Sequence, residues 1–303
     1  MGATPWGFDS PSRHSSMSLE SPPWDALARD LGIRAGEPFN LGSIALRKHP
    51  EWNEAAAKAA GLVLNLGVPK GDRILFSLPP GPELTAGLLG CLLSGVLPCV
   101  LAPGNPELLL EGIRRTGARM LVLEDSIKSK IDPHRRELPD LWHVVAVTKS
   151  KASLRMGAGD FLWEDYFLTP PSVLPPVPGS LRTPAILLPS GVILSHALAL
   201  ALANSPQPEE IPSTAIEICA SLLGARSGRA WRDPGTGLAL LLRDDAPEGS
   251  LGRPLPGLEL DTRSETVRVR VGLGWPVLEP RGEWYETALR ARADEEGWFW
   301  PAS

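Results

Sequence analysis

Residues 67–103 read GVPKGDRILFSLPPGPELTAGLLGCLLSGVLPCVLAP and predict a strand, a helix and a second strand. The first strand is predicted over Ile74–Leu78, a short unbroken apolar run typical of buried parallel strands. Pro82 suits the first turn of the helix, where its missing N–H costs nothing. Gly95 suits the left-handed residue that ends it. The helix is apolar on nearly all sides and is therefore predicted to be buried, and the second strand is predicted over Leu97–Leu101.

The same alternation continues on both sides of this block. A helix is predicted over Glu54–Asn65 and another from Pro106 to Gly117, and strands are predicted over Arg119–Leu123 and His143–Val147. Strands that alternate with helices indicate a parallel sheet with right-handed crossover helices. Near the C-terminus, residues 258–260 and 266–271 alternate between apolar and polar residues, as half-exposed antiparallel strands do. The predicted fold class is α/β, with a parallel sheet and a small β-rich C-terminal portion.

Composition excludes several classes of partner. The chain has 303 residues, a net charge of −5, 43% hydrophobic residues and 21% charged residues, as soluble globular proteins do. Positive charge is scattered, so we expect no nucleic-acid partner, and no apolar run is long enough to predict a membrane span. Cys91, Cys99 and Cys219 lie in apolar surroundings without a CxxC pair, which predicts buried free thiols and a cytoplasmic location. The histidines form no metal-ligand spacing, so no metal site is predicted.

The segment Thr183–Asn204, TPAILLPSGVILSHALALALAN, has a different organisation. A buried strand is predicted over Ala185–Leu188, followed by a turn at Pro189-Ser190-Gly191, a second apolar run and a helix through Ala197–Ala203. A phosphate cradle requires successive backbone N–H groups from small residues, and usually a cation. Ser190 and Gly191 offer two N–H groups and one hydroxyl, but no lysine follows. A plain turn between two apolar runs explains the same residues.

These segments together resemble the AMP-forming acyl-adenylate superfamily, which contains acyl-CoA synthetases, adenylation domains of peptide synthetases and luciferases. The resemblance rests on residues 67–103, on the flanks of the Ser190-Gly191 turn, on GSLGRPLPG at Gly249–Gly257 and on ADEEGWFW at residues 293–300. Three family features are altered. The Thr/Gly/Lys body of the phosphate loop is absent, no Glu follows Pro234–Gly237, where the family places a magnesium-binding Glu, and residues 300–303 replace a segment whose Asp binds ribose.

The resemblance implies the N-terminal layer of the acyl-CoA synthetase-like fold and an ATP-dependent ligase that forms an acyl-adenylate from a small-molecule carboxylate. ATP and Mg²⁺ are implied as cofactors, and coenzyme A as an acyl acceptor. It assigns nucleotide contacts to Ser190, Gly191 and Thr236, but no catalytic residue and no metal ligand. Because several groups that would meet phosphate charge are missing, impaired activity is predicted. The alternative is a non-catalytic remnant, or a binding or partner module, of the same family.

The expected domain organisation has three parts. Residues 1–16 are expected to be a disordered or non-native leader, residues 17–204 the α/β region, and residues 205–303 a shortened second region with a β-rich end. The small C-terminal lid domain of the family is expected to be absent, which makes a separate lid domain or a second copy of the chain a candidate partner. His196 has a counterpart in the family, but the favoured interpretation is a structural histidine at the start of a helix, hydrogen-bonded to a nearby turn. Glu164 and Asp165 are predicted to be solvated.

Overall fold

A five-stranded sheet organises the first half of the protein in the computed structural model. Its strands are β1 (Arg73–Ser77), β2 (Leu97–Val100), β3 (Met120–Glu124), β4 (His143–Val147) and β5 (Asp160–Leu162). The order across the sheet is β2-β1-β3-β4-β5, and every neighbouring pair is parallel. The structure describes residues 39–148, 155–167, 179, 183–189, 191, 193–196, 199–200, 203, 215–223, 230–232, 239–241, 246–254, 258–263, 266–271, 284–287 and 289–302.

Seven α-helices have both ends within the described parts of the chain. They are α1 (Leu41–Lys48), α2 (Asn53–Asn65), α3 (Pro82–Ser94), α4 (Pro106–Thr116), α5 (Asp125–Ile131), α6 (Trp163–Phe167) and α7 (Ala215–Leu223), with 3₁₀ turns at Pro50–Trp52 and Asp132–Glu137. As predicted, α3 begins at Pro82 and ends at Gly95, whose φ of 75° is left-handed. None of these helices is both long and apolar enough to cross a lipid bilayer.

The core has two layers because successive side chains of a strand point to opposite faces of the sheet. Ile74 and Phe76 of β1 belong to the larger cluster, which also contains the buried faces of α2 and α3. Leu75 belongs to the second cluster, together with Leu109 of α4 and Ile127 of α5. The sheet is therefore covered by helices on both faces, as a parallel sheet requires.

The β-rich portion follows the parallel sheet and is antiparallel. Strands β6 (Pro184–Leu187) and β7 (Ile193–Ser195) form a hairpin. Further along the chain lie β8 (Ala230–Arg232), β9 (Ala239–Leu241), β10 (Arg253–Pro254), β11 (Leu258–Asp261), β12 (Arg268–Val271), β13 (Tyr285–Glu286), β14 (Ala291–Ala293) and β15 (Phe299–Pro301). All of their pairings are antiparallel.

The predicted α/β fold class is confirmed, with a parallel sheet and short C-terminal strands. Strand β4 has the predicted bounds, and β2 ends one residue earlier than predicted. Strands β1 and β3 are each shifted by one residue at both ends. Strand β5 and helices α1 and α5 were not predicted. The leader at residues 1–16 lies outside the described residues, and the division at residues 204/205 remains a proposal.

Candidate functional site

The turn between β6 and β7 is the place where the sequence predicts phosphate contacts. The strands pair with Leu187 opposite Ile193 and Ile186 opposite Leu194, so the chain reverses between Leu187 and Ile193. Gly191 has a φ of 93°, and a Cβ added there would meet nothing within 4 Å. The backbone at Gly191 therefore borders open space. Ser190 and Thr236, the other two predicted contacts, lie outside the described residues.

The turn uses one of the donors that a phosphate cradle would need. The Gly191 N–H donates to the Leu188 carbonyl at 2.9 Å and closes the turn. A phosphate loop works by presenting unpaired backbone N–H groups to the anion. Since this N–H already has an acceptor, the turn is a poorer anion site than the sequence alone suggests.

Arg115 brings a cation to this turn from a different part of the chain. It lies in the last turn of α4, and its Nη1 donates to the Pro189 carbonyl at 3.3 Å. Its Nη2 pairs with Glu111, one helical turn earlier, and the Arg115 side chain is 48% exposed. Sequence alone does not reveal this contact, because 74 positions separate Arg115 from Pro189 and no motif links the two segments.

His196 is a buried structural residue. Its Nδ1 accepts a hydrogen bond from the backbone N–H of Leu41 at 3.2 Å, at the start of α1, and its ring packs edge-on against Phe39. Burial lowers the pKa of His196 to about 4, so the ring is neutral near pH 7. The structural interpretation is confirmed, but the partner is the first helix rather than a nearby turn.

The two C-terminal motifs lie against each other. Leu251 and Gly252 of the GSLGRPLPG motif exchange backbone hydrogen bonds with Phe299 of the terminal motif, at 2.7 and 3.0 Å. The Arg253 guanidinium lies 4.1 Å from the centroid of the Trp298 ring. Segments that are about 45 residues apart thus form one small β-structure.

Asp294 is fully engaged within the β14–β15 hairpin. Its Oδ1 accepts the backbone N–H groups of Glu296 and Trp298 at 3.0 and 2.8 Å, and its Oδ2 accepts the Trp300 Nε1–H at 2.8 Å. These bonds, the one from Trp300 above all, lower the pKa of the Asp294 carboxyl. The carboxylate thus stabilises the hairpin.

Lys128 and Asp160 form the most buried ion pair in the described residues. The side chains are 1% and 5% exposed, and Nζ lies 2.6 Å from Oδ2. Asp132 and the Arg155 carbonyl also accept from Nζ, and Arg135 lies 3.3 Å from Asp160. The cluster joins α5 to β5 and is internally satisfied, so we assign it a structural role.

The prediction that Glu164 is solvated was wrong. Its Oε1 accepts the Thr148 N–H at 2.9 Å, and its Oε2 is buried without a hydrogen-bond partner in the described residues. Trp163 beside it is buried in the main core. Asp165 is exposed, as predicted.

Metal-binding side chains are not clustered in the described residues. No group of three or more His, Cys, Asp or Glu side chains among them is placed to hold a metal. The three cysteines are buried and free, as predicted. Burial raises the pKa of Cys99 and Cys219 to about 12, so both remain protonated thiols at neutral pH.

The parallel sheet and the β6–β7 turn lie within a segment that matches a known protein family. The sequence model of the AMP-binding enzyme family matches residues 49–203, about half of the chain. The chain belongs to the AMP-binding enzyme family. The match includes the whole parallel sheet and the β6–β7 turn, so it confirms the resemblance inferred from residues 67–103 and from the flanks of Ser190 and Gly191.

Curated relatives of this AMP-binding family member match only in part. It is 26% identical over 147 residues to the acetyl-coenzyme A synthetase of Syntrophus aciditrophicus, a segment that covers 45% of this chain and 23% of that protein. It is 32% identical over 91 residues to a p-hydroxybenzoic acid–AMP ligase of Mycobacterium tuberculosis, covering 29% of this chain and 12% of that protein. The chain thus matches less than a quarter of the length of either relative.

Solved structures share the fold over most of the chain. An acyl-CoA synthetase from Brucella canis superposes with a TM-score of 0.67 at 12% identity, covering 91% of this chain and 78% of that one. An anthranilate CoA ligase in complex with anthranoyl-AMP superposes with a TM-score of 0.65 at 14% identity, covering 90% and 78%. At such low identity the likeness establishes the fold alone.

Proposed function

We propose that this AMP-binding family member activates a small-molecule carboxylate with ATP, forming an acyl-adenylate and releasing pyrophosphate, with strongly impaired turnover. The observation that carries the proposal is the β6–β7 turn, which lies beside the parallel sheet within the family match and borders open space at Gly191. We propose Ser190, Gly191 and Thr236 as nucleotide contacts. Coenzyme A as the acyl acceptor and a cytoplasmic location belong to the same proposal.

Impaired turnover follows from the groups that would meet the phosphates. Negative charge on a transferring phosphoryl group is stabilised by donors that are already in place. Here the Gly191 N–H is bonded to Leu188, and no lysine follows the turn. Losing one such donor costs about 3 kcal/mol of transition-state stabilisation, so turnover is expected to fall by at least two orders of magnitude relative to an intact loop.

A second candidate function is a non-catalytic binding or partner module. The closed turn favours it, because a loop whose amide is satisfied internally gains less from an anion.

The test is pyrophosphate release from ATP with a panel of acetate, longer fatty acids, benzoate, p-hydroxybenzoate and anthranilate. Release that requires one of these acids, and that disappears when Ser190 and Gly191 are both replaced by valine, supports the ligase. Release that survives this replacement identifies a contaminating enzyme. If no release occurs and ATP leaves the melting temperature unchanged, the non-catalytic function is correct.

A further inference from the structure

Arg115 is placed to supply the positive charge that the phosphate-loop sequence lacks. Its Nη1 contacts the Pro189 carbonyl at 3.3 Å, two residues before Gly191. The side chain is 48% exposed, so the guanidinium faces solvent beside the turn. Among the described residues, nothing would lie within 4 Å of a Cβ at Gly191, which leaves room there for a ligand.

The guanidinium has donors to spare for an anion. Arginine carries five N–H donors in a planar fork that matches two phosphate oxygens. The Pro189 carbonyl and the Glu111 carboxylate accept from Arg115, which leaves other N–H groups of the fork for a ligand. Glu111 is 58% exposed, and an exposed ion pair of this kind is weak, so a polyanion can displace it.

We propose that Arg115 binds the phosphate chain of the nucleotide in place of the missing loop lysine. The proposal rests on the proposed function for the identity of the ligand, but its chemistry requires only a linear polyphosphate beside the turn. Glu111 then acts as a competitor, because its carboxylate occupies the same guanidinium when no ligand is bound.

Arg114 provides a matched control in the same helical turn. It is 51% exposed, and its Nη2 pairs with Glu137 at 2.8 Å. It has the same charge and nearly the same exposure as Arg115, but it pairs with Glu137 rather than contacting the turn. Any effect of overall charge will therefore appear equally in variants at both positions.

The experiment measures binding of inorganic tripolyphosphate and of ATP by titration calorimetry at low ionic strength. We expect Arg115→Gln to weaken both by about 10- to 100-fold, as loss of a charged hydrogen bond does. Arg114→Gln should change them less than threefold. Glu111→Gln should tighten both by about two- to fivefold, since it removes the competing carboxylate. Arg115→Lys should lie between wild type and Arg115→Gln, because it keeps the charge without the fork.

The outcomes separate this inference from the proposed function. Equal affinity in Arg115→Gln and wild type overturns the inference, and so does a wild-type protein that binds no tripolyphosphate. If Arg115→Gln loses binding but wild type never releases pyrophosphate, the inference stands and the ligase proposal fails. If wild type and Arg115→Gln release pyrophosphate equally well, the ligase proposal stands and Arg115 has no part in it.

Discussion

The buried ring of His196 makes the stability of the fold depend on pH in the acid range. Its Nδ1 must remain unprotonated to accept the Leu41 N–H, and burial holds its pKa at about 4, below the ordinary value of 6.5. Between these values the unfolded chain binds a proton that the folded protein does not, so stability is complete above pH 6.5 and falls as the pH drops toward 4. This difference in pKa lowers the free energy of unfolding by about 3 kcal/mol once the pH is below 4.

We therefore predict that replacing His196 with asparagine weakens the acid sensitivity of the fold. The asparagine Oδ1 can accept the Leu41 N–H from a similar position but does not titrate. Between pH 7.5 and 4.5 the free energy of unfolding should fall by about 2 kcal/mol less in His196→Asn than in wild type, measured by urea denaturation. Carboxylates titrate in both proteins and cancel in the comparison. Parallel pH curves for the two proteins would show that the ring is not the titrating group.

Lys128 is the second residue with a specific prediction. Replacing it with methionine preserves most of its length but leaves the buried Asp160 carboxylate without its shortest partner. Removing one member of a buried ion pair costs about 3–5 kcal/mol, so Lys128→Met should lower the free energy of unfolding by that amount. Lys130→Met, at an exposed position of the same helix, should change it by less than about 0.5 kcal/mol. Equal stability of the two variants would contradict the structural role of the cluster.

Helices α2 and α3 approach each other closely because glycine occupies the contact. A Cβ at Gly90 would lie 2.6 Å from the Ala59 Cβ and 2.7 Å from the Ala60 backbone nitrogen. Neither neighbour is the end of a flexible side chain, so α2 would have to move as a unit. The small residues in both helices are therefore a packing requirement of the layer above the sheet.

We predict opposite effects for alanine at two glycines in this helix pair. Gly90→Ala should lower the free energy of unfolding by about 1–3 kcal/mol, because it overpacks the interface. Gly61→Ala should leave it unchanged or raise it by up to about 1 kcal/mol, because a Cβ there meets nothing within 4 Å and alanine favours helix. Thermal unfolding of the two variants measures the difference. Destabilisation by both, to the same extent, would mean that glycine is needed for another reason.

The sequence predicts the elements whose ends are set by local residues, and not those that depend on tertiary contacts. Pro82, Gly95 and Gly117 mark helix ends by backbone geometry alone, so α3 and the end of α4 are predictable. Strand β5 has only three residues and gains its identity from pairing with β4, which a local pattern does not reveal. The Arg115 contact with Pro189 and the His196 contact with Leu41 likewise depend on tertiary placement, so the candidate site was predicted only at its turn.

At the scale of the molecule, the core extends beyond the predicted boundary at residue 204. Ile216, Ile218 and Leu222 of α7 belong to the same buried cluster as β1 and α3. Lys48 at the end of α1 donates to the Leu223 carbonyl at 2.6 Å. We therefore propose that the first structural unit extends to Leu223, so that its boundary lies after α7 rather than at residue 204.

A pair of fragments tests this boundary. Residues 17–226 should unfold cooperatively in urea, whereas residues 17–204 should be less stable or should associate, because removing α7 exposes the apolar surface that it covers. Circular dichroism and size-exclusion chromatography provide the readouts. Equal stability of the two fragments would restore the boundary at residue 204.

The position of β1 in the middle of the sheet has a consequence for synthesis. Both of its neighbours, β2 and β3, come later in the chain, and parallel neighbours are joined only through long crossovers. During synthesis, Ile74–Phe76 therefore leaves the exit tunnel before β2 and well before β3, which ends at Glu124. Until these strands emerge, the apolar segment lacks both of its neighbours in the sheet. Such exposure during translation favours aggregation, so the nascent polypeptide should depend on a chaperone until β3 has emerged.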